Sequence, residues 1–258
     1  MSLPLKSTVS VSGDHSGLNN KLQNLILLSL PAKERDPVFK SLEFVDLPTP
    51  SVLHEAGEPI KFAYFIESGL ASVLTIMLDG KSVEVGLAGK EGFIGLPLIV
   101  GLSTSATRVI MQVGGSAQRI NTRDLLRLLP TCPVLGKRLS RYSLDLGTQA
   151  AHVAACNRLH EVEERLARWL LMSQDRLGGD IVPLTQEFLA HMLGTRRASV
   201  TVAAGILQKA GLITYNRGHV TIENRGRLED AACECYEAMK KQSMKWDQEA
   251  NRLGTLPR

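Results

Sequence analysis

Cysteine is scarce in this chain. Four in 258 residues (Cys132, Cys156, Cys233 and Cys235) are too few and too unevenly spaced for a secreted disulfide framework. No two of them have the C-x2-C spacing of a zinc finger, so the reading assigns no metal site, and a reducing cytoplasm is the expected compartment. A strong charge of one sign is also missing: 30 Lys and Arg against 26 Asp and Glu leave +4, which permits an anionic partner without demanding one. There is no long apolar run. Residues 92–102 (GFIGLPLIVGL) are about half of the ~20 needed to span a bilayer and contain three glycines and a proline, so no membrane segment is expected. The first 17 residues have no apolar signal core and are expected to form a flexible tail. With 44% hydrophobic and 22% charged residues the chain reads as globular, long enough for one large domain or two modest ones.

Leu18, Leu22, Leu25, Ile26 and Leu30 recur at helical spacing and predict a short helix over 18–30, before Pro31. From 44 to 120 the character changes to short apolar and β-branched runs (62–66, 70–77, 82–87, 107–113) punctuated by glycines, which predict a barrel or roll. Asp79-Gly80 between two runs predicts a two-residue hairpin with both residues at positive φ. Asn121-Thr122 offers a helix cap. Beyond Pro133, residues Leu135, Leu139, Tyr142, Leu146, Gln149, Val153 and Cys156 are spaced 4, 3, 4, 3, 4, 3. This heptad stripe is expected to be a dimer seam; a helix packed on its own roll is the alternative. His160 continues the stripe ahead of a second amphipathic run over 162–172. The expected division is a tail over 1–17, a roll over 18–130, a dimerisation helix and hinge over 131–160, a DNA-binding domain over 161–228, and a C-terminal helix and tail over 229–258. In that last helix Cys233 and Cys235, two apart, are expected to be buried small hydrophobes rather than a redox pair.

Residues 184–222 hold the most specific pattern. Thr185 can cap a first short helix, Gly194 breaks it, and Val200, Ala203, Ala204 and Leu207 share one face of a second. Two short helices across a glycine turn predict a helix-turn-helix, and the runs on either side of residues 216–218 predict a hairpin wing. Between 180 and 227 stand six basic residues and three acids, +3 of the chain's +4. Arg196 and Arg197 open the second helix, where free N–H groups and the macrodipole favour phosphate, and Arg217 at the wing tip is placed to reach another. Opposite the core stripe, the candidate DNA-reading set is Thr195, Arg196, Arg197, Ala198, Ser199, Thr201 and Val202. Arg197 suits guanine O6 and N7; Ala198, Thr201 and Val202 suit thymine methyls.

The order of roll, long helix and winged helix-turn-helix, with the pattern L-T-Q-E-x-L-A-x-x-L-G-x-x-R-x-S-V over 184–200, resembles the Crp/Fnr superfamily of bacterial transcription regulators. YFIESGLAS (64–72) and LHEVEERLARWLL (159–171) are similar to further family segments. The resemblance implies an α+β chain: a cyclic-nucleotide-binding-like double-stranded β-roll, a dimerisation helix and a C-terminal winged helix-turn-helix. It implies a homodimeric regulator, not an enzyme, that reads a palindromic double-stranded DNA operator, with RNA polymerase as a further partner. The family's nucleotide-binding members carry a Glu for the ribose and an Arg for the cyclic phosphate; here Leu96 and Thr104 stand in their places. The resemblance thus implies the fold without cyclic-AMP activity, and no other cofactor is expected. Arg108 is either a displaced cation or a solvated surface residue. The N-terminal cysteines of iron-sulfur members are absent, and His54 is the only histidine near the roll, which leaves haem sensing open. In the recognition helix Arg197 is kept, but Ala198 and Val202 replace a Glu and an Arg, so a different half-site is expected. Two readings of other classes remain: a cupin-like metal enzyme, although the six histidines lack its arrangement, and an interaction module without an effector.

Overall fold

A computed structural model describes residues 10–11, 22–216 and 218–254. They fall into two compact units, Met1–Leu144 with Asp175–Gly179, and Asp145–Gln174 with Asp180–Arg258.

The first unit is built on antiparallel strands β1 (Ser10–Val11), β2 (Glu43–Leu47), β3 (Ser51–His54), β4 (Phe62–Ile76), β5 (Ser82–Ala88), β6 (Phe93–Ile94) and β7 (Arg108–Asn121). The long pair β4 and β7 is in register from Phe62 opposite Asn121 to Leu74 opposite Arg108. Each long strand serves two partners: β2 and β3 share β7, while β5 and β6 share β4. That sharing makes the sheet a roll. Residues 63–67 and 69–74 of β4 are all buried, so it reads as a nearly continuous apolar run rather than an alternating one.

The sequence splits β4 into two runs about Gly69, but the strand is continuous. Gly69 sits at φ +85° where the register shifts, and a Cβ there would lie 2.5 Å from the Val113 carbonyl oxygen. On the facing strand a Cβ at Gly115 would lie 2.1 Å from the Ser68 oxygen. The two backbones touch, and only glycine allows the bulge that bends one strand across both layers. The hairpin after β4 is present, with Gly80 at φ +80°; Met77 and Lys81 close the loop, and Asp79 accepts from the Lys81 N–H.

The expected 18–30 helix is shorter. Helix α1 is Leu25–Leu28, because the buried Asn24 caps it through Ile26 and Leu27 N–H and donates its amide to the Ile66 and Gly92 carbonyls. Helix α2 (Ala32–Phe39) follows, unforeseen, since Pro37 lies inside it. In the expected tail, Ser10 and Val11 pair with Asp46 and Val45; the rest of 1–17 lies outside the described residues.

Helix α3 is Thr122–Leu128, capped by Asn121 as expected. Helix α4 (Pro133–Leu159) then runs for 27 residues and passes from the first unit into the second. Its first N–H groups, on Val134 and Leu135, donate to the buried Glu34 carboxylate at 3.0 and 2.9 Å, a charged cap suited to the positive helix end. Along the heptad stripe, Leu135, Leu139, Tyr142, Gln149, Val153 and Cys156 are buried by the chain's own packing and Leu146 is half-buried.

In the second unit α5 (Val162–Leu177) is buried from Arg165 to Gln174 around Trp169. Strand β8 (Ile181–Pro183) leads to α6 (Gln186–Met192), α7 (Arg197–Lys209), β9 (Ile213–Asn216) and β10 (His219–Ile222), and the strands pair in the order β8-β10-β9. The wing therefore has a third strand that the sequence did not announce. Two helices close the chain, α8 (Arg225–Ala231) and α9 (Cys235–Gly254), where one was expected. No described helix is long and apolar enough to cross a membrane.

Candidate nucleic-acid interface

Helix α6 starts where the Thr185 hydroxyl accepts from the Phe188 N–H, 3.2 Å away. It stops at Leu193, and Gly194 at φ +58° turns the chain toward α7. The turn is held from behind by Arg165 of α5, which is buried and donates through its guanidinium to the Leu193 carbonyl at the α6 C-terminus. Burial pulls the Arg165 pKa below the usual arginine value. The run 159–171 was legible as a helix, but this positioning role was not, because the acceptor lies 28 residues away.

Helix α7 buries Val200, Ala203, Ala204 and Leu207, the face that the periodicity predicts. Arg196 is its N-cap residue and makes no side-chain cap, which leaves the first N–H groups of the helix unmatched by that side chain. Arg196, Arg197, Ala198, Thr201 and Val202 are exposed, Val202 at 65%, while Thr195 and Ser199 are half-buried. Arg217 lies outside the described residues. Thr201 is not wholly free: its hydroxyl is 2.8 Å from Gln186 Oε1 and 3.1 Å from the Arg197 carbonyl. Thr185, Gln186, Glu187, Arg197, Tyr215 and Gly218 line a cleft of about 370 Å³, which sets Gln186 and Tyr215, absent from the sequence-derived set, beside Arg197. Tyr215 Oη donates to the Leu184 carbonyl at 3.2 Å and fixes the wing to the start of α6.

The basic balance is redistributed. Arg225 is committed internally to Glu229 (3.0 Å), Gln174 (2.7 Å) and the Tyr236 hydroxyl (2.6 Å), whereas Arg196, Arg197, Lys209 and Arg227 stay exposed. An exposed α7 with cations at both ends and methyl-bearing side chains between them can meet a major groove, with phosphates at its flanks and base edges at its centre.

In the roll, the stretch matched to a nucleotide cassette forms a 3-10 helix over Leu96–Val100, entered at Gly95 with φ +122°. Arg108 pairs with Glu55 at 3.1 Å. Cys156, His160, Cys233 and Cys235 are gathered in the second unit, with their side-chain ligand atoms within 4.8 Å of one another. Cys233 precedes α9 instead of lying within a helix, so the rule that residues two apart face away from each other does not apply.

A helix-turn-helix with a hairpin wing, behind a β-roll, defines a DNA-binding protein with a sensor-like domain. The family model for the cyclic nucleotide-binding domain matches residues 44–132, and that for the Crp-like helix-turn-helix domain matches residues 164–231. The chain belongs to the Crp/Fnr family and is a transcription regulator of that type, with a helix-turn-helix DNA-binding domain. It is 24% identical over 189 residues, 69% of this chain and 75% of the relative, to the transcriptional activator protein FnrL of Cereibacter sphaeroides. In fold it is similar to FixK2 from Bradyrhizobium japonicum (TM-score 0.65, 15% identity, 74% of this chain and 98% of that one). It is likewise similar to the c-di-GMP responsive global regulator CLP of Xanthomonas campestris (TM-score 0.62, 17% identity, 75% and 100%).

Proposed function

We propose that this chain is a cytoplasmic, homodimeric regulator that reads a palindromic operator with α7, contacts RNA polymerase, and does so without cyclic AMP. The observation that carries the reading is the exposed face of α7, with Arg197 leading Ala198, Thr201 and Val202 over a buried core stripe. A dimer places two such helices on half-sites about one helical turn apart. The dimer face is the side of α4 that the chain leaves open. Ser140, Leu144, Gly147, Ala151, Ala154 and Arg158 are exposed and spaced 4, 3, 4, 3, 4, and Leu144 alone is 58% exposed. Independence from cyclic AMP is supported by Leu96 and Thr104, which supply neither a ribose acceptor nor a phosphate cation, and by the commitment of Arg108 to Glu55.

The test compares two single-charge losses. Arg197→Ala is expected to cost about 1 to 3 kcal/mol per half-site on the cognate operator and to relax preference at one base position. Arg217→Ala is expected to weaken cognate and scrambled duplexes alike and to lower the salt slope by roughly one counterion per subunit. Titrations of both variants at several salt concentrations decide it. Equal losses on both duplexes for Arg197→Ala would place that residue on phosphate, and no loss on either would remove α7 from the interface.

A further inference from the structure

Four side chains with metal-ligand chemistry meet in the second unit, from two stretches of the sequence, 156–160 and 233–235. Cys156 comes from the last turn of α4, His160 from just beyond it, Cys233 from the α8–α9 connection and Cys235 from the first position of α9. Their ligand atoms all lie within 4.8 Å of one another; Cys156 Sγ is 3.4 Å from Cys233 Sγ, and Cys235 Sγ is 3.8 Å from His160 Nδ1. A tetrahedral zinc site with S and N ligands has edges of about 3.5 to 3.8 Å, so the group already has the size of one ion's ligand shell. The three cysteines are buried, and Met239 packs against them.

Two further observations point the same way. While His160 Nδ1 faces the thiols, its Nε2 lies 2.9 Å from Glu234 Oε2. A carboxylate behind the far nitrogen is how proteins orient a metal-binding imidazole. Arg168 is 3% exposed, and no carboxylate pairs with it among the described residues; its guanidinium reaches Met172 Sδ at 3.2 Å and the Cys156 thiol. A buried cation needs an anion beside it. Three thiolates, a neutral imidazole and a divalent ion carry one net negative charge, which Arg168 balances.

We propose that Cys156, His160, Cys233 and Cys235 form a Cys3His site for a single divalent, zinc-like ion, oriented by Glu234 and charge-balanced by Arg168. The three thiols give up their protons to solvent as they bind, and no redox change is involved. The ion would pin the start of α9 to the end of α4. An iron-sulfur cluster spreads its four ligands over two or more irons and needs a wider set than four atoms all within 4.8 Å of one another, so the geometry fits a single ion. A Cys156–Cys233 disulfide would leave Cys235, His160 and Glu234 without a shared purpose.

The test uses the full chain, reduced and stripped of metal, titrated with Co2+ and then Zn2+. One Co2+ per chain, with the intense visible bands of tetrahedral thiolate coordination that Zn2+ then erases, is expected. Cys235→Ser should lose those bands, whereas Cys132→Ser, which alters a buried cysteine outside the group, should keep them. Glu234→Gln changes a side chain that is 79% exposed, so folding is not at stake; it should keep the band shape and weaken affinity about 10- to 100-fold. The proposal fails if the folded wild-type chain shows no tetrahedral cobalt band. It fails equally if Cys235→Ser leaves the band intact, or if mass spectrometry of the chain isolated without reductant finds Cys156 and Cys233 joined.

Discussion

His54, at the end of β3, titrates against its surroundings. Burial lowers its pKa from 6.5, and the nearby Thr107 backbone opposes that in part. The unfolded chain therefore binds the proton more readily than the folded one. The contribution of His54 to stability is present above about pH 6.5 and is lost as pH falls through the lowered folded value. Thermal unfolding of wild type and His54→Asn between pH 7.5 and 5 should show the wild-type Tm falling more steeply with acid; parallel curves would show that His54 does not titrate on unfolding. The pair also separates His54 from Glu67, whose pKa burial raises and whose effect on acidification has the opposite sign. Single residues were legible where the helix period decides them, as with Val200, Ala203, Ala204 and Leu207. They were not legible where a partner lies far along the chain: Arg225 looked like one more DNA cation until Gln174, 51 residues away, was seen to hold it.

Helix α4 shows what an apolar spacing says and what it omits. A heptad stripe specifies that one face is covered, but not whether a second chain or the same chain covers it. Here the same chain covers it, and the residues opposite stay exposed. Leu144→Glu combined with Ala151→Glu is expected to give a folded monomer in sedimentation, because four like charges would meet at the proposed dimer face; a persistent dimer would move the interface elsewhere. Leu139→Ala is expected instead to cost about 2 to 5 kcal/mol of folding stability through the cavity it leaves. Other elements escaped the sequence for local reasons. Pro37 hid α2, the three-residue β8 has too few positions to show alternation, and the break at 232–234 split a helix whose pattern looked continuous. The cysteine group could not be foreseen at all, since 77 residues separate Cys156 from Cys233.

At the scale of the molecule the order of parts was readable, because a roll, a long helix and a winged helix-turn-helix differ in period and in glycine use. Ligand choice was readable only as substitutions against the family pattern. Calorimetry with cyclic AMP is expected to show no saturable binding at micromolar concentrations; such binding would mean that a cation other than the missing Arg serves the phosphate. The makeup of α7 has a bearing on how a two-fold operator is read. An exposed surface of Ala198 and Val202 offers no hydrogen bond to a base edge, so at those positions it can sense only bulk and hydrophobicity in the groove. Thymine differs from cytosine there by the C5-methyl group as well as by its polar atoms, and a cytosine methylated at C5 presents that same group in the same place. If α7 docks with this face, the protein distinguishes methylated from unmethylated cytosine without any side chain dedicated to the task. In the proposed two-fold complex the effect would act at both half-sites, so a modest preference at one would be squared across the operator.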